Sequence, residues 1–336
     1  MQRSHLLVRI KPILRSSLEG FHHLRLTRGH VRHIHVVRGT PERVNFSFFK
    51  WLKLEHPHLS RLFRHTTAFS PLSDVSADVA LFLPWVQDPV RERDEALYRR
   101  LRLLEGRYEQ EGVPVVNTID SLSNSIKSRA LEIIGRTGVR TARAAQVDEA
   151  WSYDAIVSRV GSPFIIRNDQ GHGGYVGLIR SPEEFRGIAW GRLSQPLALE
   201  FIDTRSEDGL YRKYRYILMG DAGLFRHLLI TTSWCAHARD RVRGDAYIKE
   251  EMDVMDQACP YHDQLNTARK ALGMDYVAFD YSVDRQGGLV VWEPNPFPTL
   301  WSRHSSRDSY FGYQEAQVHT VCTHLLGYYL NQAGIP

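Results

Sequence analysis

Cysteine is scarce in this chain: three in 336 residues, Cys235, Cys259 and Cys322. They are scattered and odd in number, so they form no disulfide framework, and no pair has zinc-site spacing. A reducing, cytoplasmic setting is expected. Long apolar runs are lacking too. Nothing approaches the ~20 residues of a membrane helix, so no membrane span is expected. The opening residues lack the apolar stretch of a secretory signal, although an Arg-rich, Ser-containing start with no acid before Glu19 also fits a transit peptide. Repeats, low-complexity tracts and heptads are absent. Lysine is sparse, with seven among 43 basic residues, so a Lys at a chemically suggestive position stands out.

What is present is the composition of a globular protein: 43% apolar and 24% charged residues, over a length that suggests about two domains. The net charge of +5 is unevenly spread. Residues 1–66 carry 13 Lys/Arg, three acids and nine of the 16 histidines, a net +10, which leaves −5 for the rest. That segment reads either as a solvated Arg-rich face or as a docking surface for an acidic partner. Nucleic acid is disfavoured, because interleaved stacking aromatics, helix-turn-helix and zinc-finger patterns are all missing.

His33–Val37 alternates like a strand, and Phe46–Leu54 and His58–Phe63 read as short helices or loops. Strand Val79–Val86, helix Val90–Gln110 and strand Gly112–Asn117 make one β-α-β unit. Ser121 offers an N-cap for a helix to about Gly135, with Lys127 beside an apolar stripe of Ile126, Ala130, Ile133 and Ile134. Strands are then expected at 164–167, 175–179, 197–202, 213–219, 224–231, 276–283 and 289–293. Helices are expected near 182, over 260–272 and over 313–331. Hairpin-joined strands with helices interspersed read as α+β.

The most informative stretch is the hairpin Tyr276–Val283 and Leu289–Pro296. Side chains alternate along a strand, so Asp280 shares a face with Ala278 and Ser282, and Glu293 shares one with Asn295. A turn symmetric about Gln286-Gly287 sets Asp280 opposite Glu293, with Cβ atoms ~4.5–5.5 Å apart. Two like charges there repel unless a cation lies between them, and Mg²⁺ suits two carboxylates. Asn295 adds a neutral oxygen. Pro294 and Pro296 end the ladder beside it. A solvated, exposed hairpin is the competing reading. Arg167–Gly177 holds Gly171, Gly173 and Gly174 between two strands. That context matches neither a Walker loop nor a dinucleotide fingerprint, but a glycine hairpin can fold over phosphates, or be a plain turn.

Taken together, these residues resemble the ATP-grasp superfamily, of the glutathione-synthetase-like type that includes D-alanine–D-alanine ligases, glutathione synthetases and ribosomal-protein glutamate ligases. The resemblance spans roughly residues 75–305, and its most specific part is Asp280 followed after 13 residues by Glu293-Pro-Asn295-Pro. It implies an α+β ATP-grasp fold, two α+β lobes sandwiching ATP, preceded by an N-terminal α/β domain. The domains would be 1–112, 113–195 with the glycine lid, and 196–336 with the metal hairpin. It implies that Asp280, Glu293 and Asn295 hold Mg²⁺, with Mn²⁺ as a substitute, that Lys127 and Arg167 bind phosphate, and that Gly171–Gly174 close over it.

Leu199–Ile202 is similar to the family hinge, which gives adenine contacts to Glu200, Phe201 and Ile202. Arg167 stands where the family usually has Lys. Arg215 matches a family Arg. Lys213 stands where an acid usually binds ribose, which leaves Asp203 as its substitute. Ala278 replaces a catalytic Arg of the D-alanine ligases, which leaves Arg226 as the anion-stabilising candidate. The implied function is ATP- and Mg²⁺-dependent carboxylate–amine ligation through an acyl phosphate, on small-molecule or peptide substrates. A small-molecule phosphotransferase or a nucleotide-binding protein without turnover are the alternatives. His33 with His35, and Trp234-Cys235-Ala236-His237, read as structural. Oligomeric state is not legible.

Overall fold

Two stretches of β-branched and apolar residues, 33–38 and 79–85, become neighbouring strands in the computed structural model, which describes residues 32–38, 47–67, 78–86, 89–170, 176–300 and 309–336. The chain divides into two units. One comprises Met1–Gln87, Glu95–Ile119 and Thr299–Pro336, the other Asp88–Asp94 and Asp120–Pro298.

In the first unit β1 (His33–Arg38) lies between β2 (Phe63–Thr67) and β3 (Val79–Trp85), all parallel. All seven residues of β3 are buried, as expected of a parallel strand covered on both faces. β2 was not expected from the sequence. It is an edge strand in which only Phe63 is buried, so no apolar alternation marks it. The expected strand at 112–117 shrinks to one parallel bridge, Phe82 to Val115, because Asn117 turns left-handed at φ 59°. The expected helix Val90–Gln110 breaks at Asp94, whose extended backbone separates Val90–Arg93 from Glu95–Gln110.

Residues 299–336 group with this unit rather than with a 196–336 lobe, and residues 113–119 also join it. The reason is aromatic packing. Tyr329, on the helix Gln314–Gln332, meets Phe48 edge-on at 5.6 Å and Phe63 at 6.4 Å, and Trp51 Nε1 donates to His319 Nδ1 at 3.1 Å.

The second unit has two sheets. β4 (Arg140–Thr141), β9 (Tyr211–Met219), β10 (Ala222–Thr231), β11 (Tyr276–Val283) and β12 (Leu289–Asn295) form one, in the order β10-β9-β11-β12-β4. β5 (Ala144–Gln146), β6 (Phe164–Asn168), β7 (Val176–Ile179) and β8 (Pro196–Glu200) form an antiparallel second, in the order β5-β8-β6-β7. Val277, Phe279 and Tyr281 of β11 pack with Ala130, Ile134, Leu265 and Ala268 from two helices, Lys127–Gly135 and His262–Ala271. That directs Ala278, Asp280 and Ser282 to the opposite face, as the alternation requires.

The expected helix from Ser121 is a 3₁₀ turn, Ser121–Ser125, followed by a break at Ile126 (ψ 129°) and the helix Lys127–Gly135. Lys127 therefore opens that helix. The helix Asp245–Met255 was not anticipated. It packs on β10 and buries Glu251.

Candidate active site

A row of four side chains crosses the five-stranded sheet. His227 on β10 stands opposite Arg215 on β9, Arg215 opposite Asp280 on β11, and Asp280 opposite Glu293 on β12. Directly paired residues share a face, so all four rise on the side away from the helices. The Asp280–Glu293 pairing is the one predicted, but it is reached through a bulge. Tyr281 pairs with Val291 while Asp280 pairs with Glu293, so Trp292 is the extra residue, tied down by its indole N–H to Ser282 Oγ at 2.8 Å. Two strand positions further, on the same face, Asn295 pairs with Ala278 and is buried.

Asp280 is almost wholly buried, and its charge is met by two cations. Arg215 grips it as a fork, Nε to Oδ1 at 2.6 Å and Nη2 to Oδ2 at 2.8 Å, and Lys213 Nζ lies 3.3 Å from Oδ2. Burial disfavours the carboxylate, but Arg215 and then Lys213 outweigh it and hold the acid below its ordinary range. His227 moves the other way. Burial first, then Arg215, Arg226, Arg241 and Lys213, push its pKa well below the usual value, so the imidazole is neutral.

Asp280 and Glu293 border a cavity of about 300 Å³. Arg167, Lys213 and Arg215 add cationic walls, and Leu131, Ile165, Leu199, Ile202 and Trp292 form an apolar one. Glu200, Phe201 and Ile202 all border it, the last two just past the end of β8. Glu200 is turned toward Arg143, accepting its backbone N–H and Nε–H at 3.1 Å each. Arg167, near the end of β6, has a buried Nε with no hydrogen-bond partner among the described residues.

The buried Lys127 begins its helix without a side-chain N-cap at Ile126. Asp169 supplies the missing acceptor from a distance in sequence. It takes Ser128 N–H at 2.8 Å and Ser128 Oγ–H at 2.6 Å, and its carbonyl takes Lys127 N–H at 3.3 Å. This acid, two residues past Arg167, was missed. An uncapped helix start is its one sequence signal.

Lys127 and Asn295, both buried, do not border the cavity, and two further expected residues stand apart from it. Asp203 does not border the cavity, and its carboxylate is engaged by Arg205 N–H and Nη2–H at 3.0 Å each. The expectation that it replaces the ribose acid therefore lacks geometric support. Arg226 is buried but also does not border the cavity. It is the extra residue of a bulge between Phe225 and His227, which changes the direction the strand alternation would give it. Conversely, Trp234, Cys235 and His237, read as structural, line the cavity, with Trp234 edge-on to Phe201 at 5.8 Å. Gly171, Gly173 and Gly174 lie outside the described residues.

The donor set fits a hard divalent cation. Asp280 and Glu293 face each other across paired strands, and Asn295 has a buried Nδ2 with no partner among the described residues. Turning that amide end for end presents its oxygen instead. Two carboxylates and an amide oxygen suit Mg²⁺ or Mn²⁺. No group of three His, Cys, Asp or Glu residues able to hold a metal occurs among the described residues. No described helix is long and apolar enough to cross a membrane.

No known sequence family matches this chain, and no curated protein matches it by sequence. Its architecture does match solved structures. A D-alanine–D-alanine ligase from Bacillus anthracis, complexed with ATP, superposes with a TM-score of 0.54 at 13% identity, over 90% of this chain and 96% of the ligase. VanG D-Ala:D-Ser ligase from Enterococcus faecalis gives 0.52 at 15% identity, over 88% of this chain and 100% of that one. The ATP-grasp ligase PsnB, with a phosphomimetic variant of its minimal precursor, Mg and ADP, gives 0.52 at 14% identity, over 88% and 100%. At such low identity it is the course of the backbone that is shared, and this chain has the ATP-grasp fold.

Proposed function

We propose that this protein is an ATP- and Mg²⁺-dependent carboxylate–amine ligase. The observation that carries the reading is the row Arg215–Asp280–Glu293, with Asn295 beside it, on the wall of a cavity whose other wall is apolar. Solved neighbours of this fold were crystallised with ATP, or with Mg and ADP, which supports the same ligands here.

In this reading the adenine occupies the apolar wall of Leu131, Ile165, Leu199 and Trp292, against the backbone of Glu200–Ile202. The phosphates run toward Arg167 and Lys127. The buried Nε of Arg167 is a donor without an acceptor among the described residues, and a phosphate oxygen supplies one. Asp280, Glu293 and Asn295 hold Mg²⁺, which when bound neutralises charge developing on the phosphoryl oxygens.

A substrate carboxylate oxygen then attacks the γ-phosphorus and the bond to ADP breaks, leaving an acyl phosphate. An amine attacks the acyl carbon, inorganic phosphate departs, and the amine loses a proton. Arg215, which borders the cavity, takes the anion-stabilising place that the sequence assigned to Arg226. Gly171–Gly174 would exclude the water that hydrolyses acyl phosphates. The carboxylate is a small molecule or a peptide, a structure of PsnB having been solved in complex with its precursor peptide PsnA2.

The test is ADP formation from Mg·ATP over pooled amino acids and short peptides, with product masses recorded. ADP that rises with one pool, together with a mass equal to two substrates minus water, is expected. ATP binding without ADP in any pool would overturn ligation and leave a nucleotide-binding protein. A phosphorylated product formed without an amine would make it a phosphotransferase.

A further inference from the structure

Lys213 has one job in this structure and is built for a second. Its ammonium lies 3.3 Å from Asp280 Oδ2, an oxygen that Arg215 Nη2 already engages at 2.8 Å. Arg215 alone gives Asp280 a bidentate partner. Lys213 is thus a second cation on one carboxylate, and the more loosely held. Its side chain is 24% exposed against 15% for Arg215, and it borders the same cavity as Arg167 and Glu293. A lysine stem is flexible and its head is a point charge with three donors, whereas the guanidinium fork is rigid.

For Asp280 to take a divalent cation, one carboxylate oxygen must turn to the metal. A dication at that oxygen repels the ammonium already there, and in a partly buried site that repulsion is only weakly screened. Arg215 keeps Oδ1 through Nε; Lys213 has no such second hold.

We propose that Lys213 is a phosphate-binding cation parked on Asp280, displaced into the cavity when a divalent metal binds and there taking a phosphate oxygen of the nucleotide. The inference rests on the ATP- and Mg²⁺-dependent reading above and adds a residue and a coupling to it. Without nucleotide, Lys213 competes with the metal for Asp280. With nucleotide, displacement has a destination, so metal and nucleotide bind cooperatively. The unusual placing of a Lys where the resemblance led one to expect a ribose-binding acid is thereby accounted for.

The test is Mn²⁺ binding, followed by the loss of free-ion electron paramagnetic resonance signal, in the full chain and in Lys213→Met, each with and without ADP. Methionine keeps the stem and removes the charge, and circular dichroism confirms the fold. Without ADP, Lys213→Met is expected to bind Mn²⁺ roughly tenfold more tightly than the unaltered chain, because a repelling unit charge has gone. With Mn²⁺ present, it is expected to bind ADP roughly tenfold more weakly, one charge-assisted contact being lost. Nucleotide-free Mn²⁺ affinity that is unchanged or reduced in Lys213→Met, while the unaltered chain binds Mn²⁺ with ADP, overturns the exchange and leaves the metal site standing. No Mn²⁺ binding in either protein, with or without ADP, overturns the metal reading and the exchange together.

Discussion

Each unit buries ionisable side chains on one face of a sheet, and the two units neutralise them in opposite ways. In the first unit His35 is about 5% exposed, with its two ring nitrogens 2.6 Å from Tyr108 Oη and 2.7 Å from Thr66 Oγ1. Neutral hydroxyls surround a neutral imidazole, and protonation has no counter-charge to meet it. Burial, then nearby His33, lowers the His35 pKa to about 4. In the second unit Asp280 is as deeply buried, but full charges on Arg215 and Lys213 surround it. A buried, hydroxyl-paired histidine makes a fixed packing that fails in acid. Ion-paired carboxylate and cations make a cluster that keeps its charges as the pH falls. The difference separates a packed polar cluster from the candidate site.

Four measurements sharpen this contrast. Asp280→Ala leaves the half-buried Arg215 and Lys213 without their anion, and is expected to destabilise the second unit by about 3 kcal/mol. Hydrogen exchange mapped to β9 and β11 checks it, and unaltered protection there would mean that the ion pair is not needed for folding. Glu293→Ala removes a proposed metal ligand rather than the centre of an ion-pair cluster. It is expected to lower Mg²⁺-dependent turnover by roughly 10²–10³-fold with β11 protection intact, and an unchanged rate of ADP formation would sink the metal assignment.

Third comes acid. The His35 pKa is lower in the folded state than in the unfolded chain, so its contribution is complete above pH 6.5 and is lost as pH falls toward 4. The loss approaches ~3 kcal/mol. Exchange protection of β1 and β3 should decline over that range while β9 and β11 hold, and a uniform decline across both units would erase the contrast. Smallest, Tyr108→Phe removes one hydroxyl partner of His35 and is expected to cost about 1 kcal/mol in a thermal unfolding measurement. A loss no larger than the scatter between replicates would show that the imidazole does not depend on it.

Much of the candidate site was legible because it sits on a hairpin. Two residues on paired strands have a separation set by turn length and strand period, so Asp280 and Glu293 could be set opposite each other by counting. The count survived the bulge at Trp292 because the turn itself is one residue shorter than assumed: Val283 pairs with Leu289, and the extra residue restores the pairing of Asp280 with Glu293. Arg226 sits at the same kind of irregularity. It is itself the extra residue of a bulge, which shifts the alternation there, and no local residue signals it. Asp203 was taken up by Arg205, a competition between neighbours that a motif does not reveal. Edge strand β2 and the helix Asp245–Met255 were missed because neither carries a strong apolar pattern.

By itself, the sequence determined the α+β class, the alternation of β11, the pairing of Asp280 with Glu293, and the placing of Lys127 near a helix start. These follow from periodicity and from contacts between near neighbours in the chain. Only the tertiary structure decided that Arg215 and Lys213 converge on Asp280, that Asp169 caps the Lys127 helix, that Trp234–His237 line the cavity, and that residues 299–336 group with the first unit. Each joins residues tens to hundreds of positions apart, or depends on how a loop folds back. Such arrangements are fixed by which apolar faces find one another, and the local pattern of a sequence leaves that choice open.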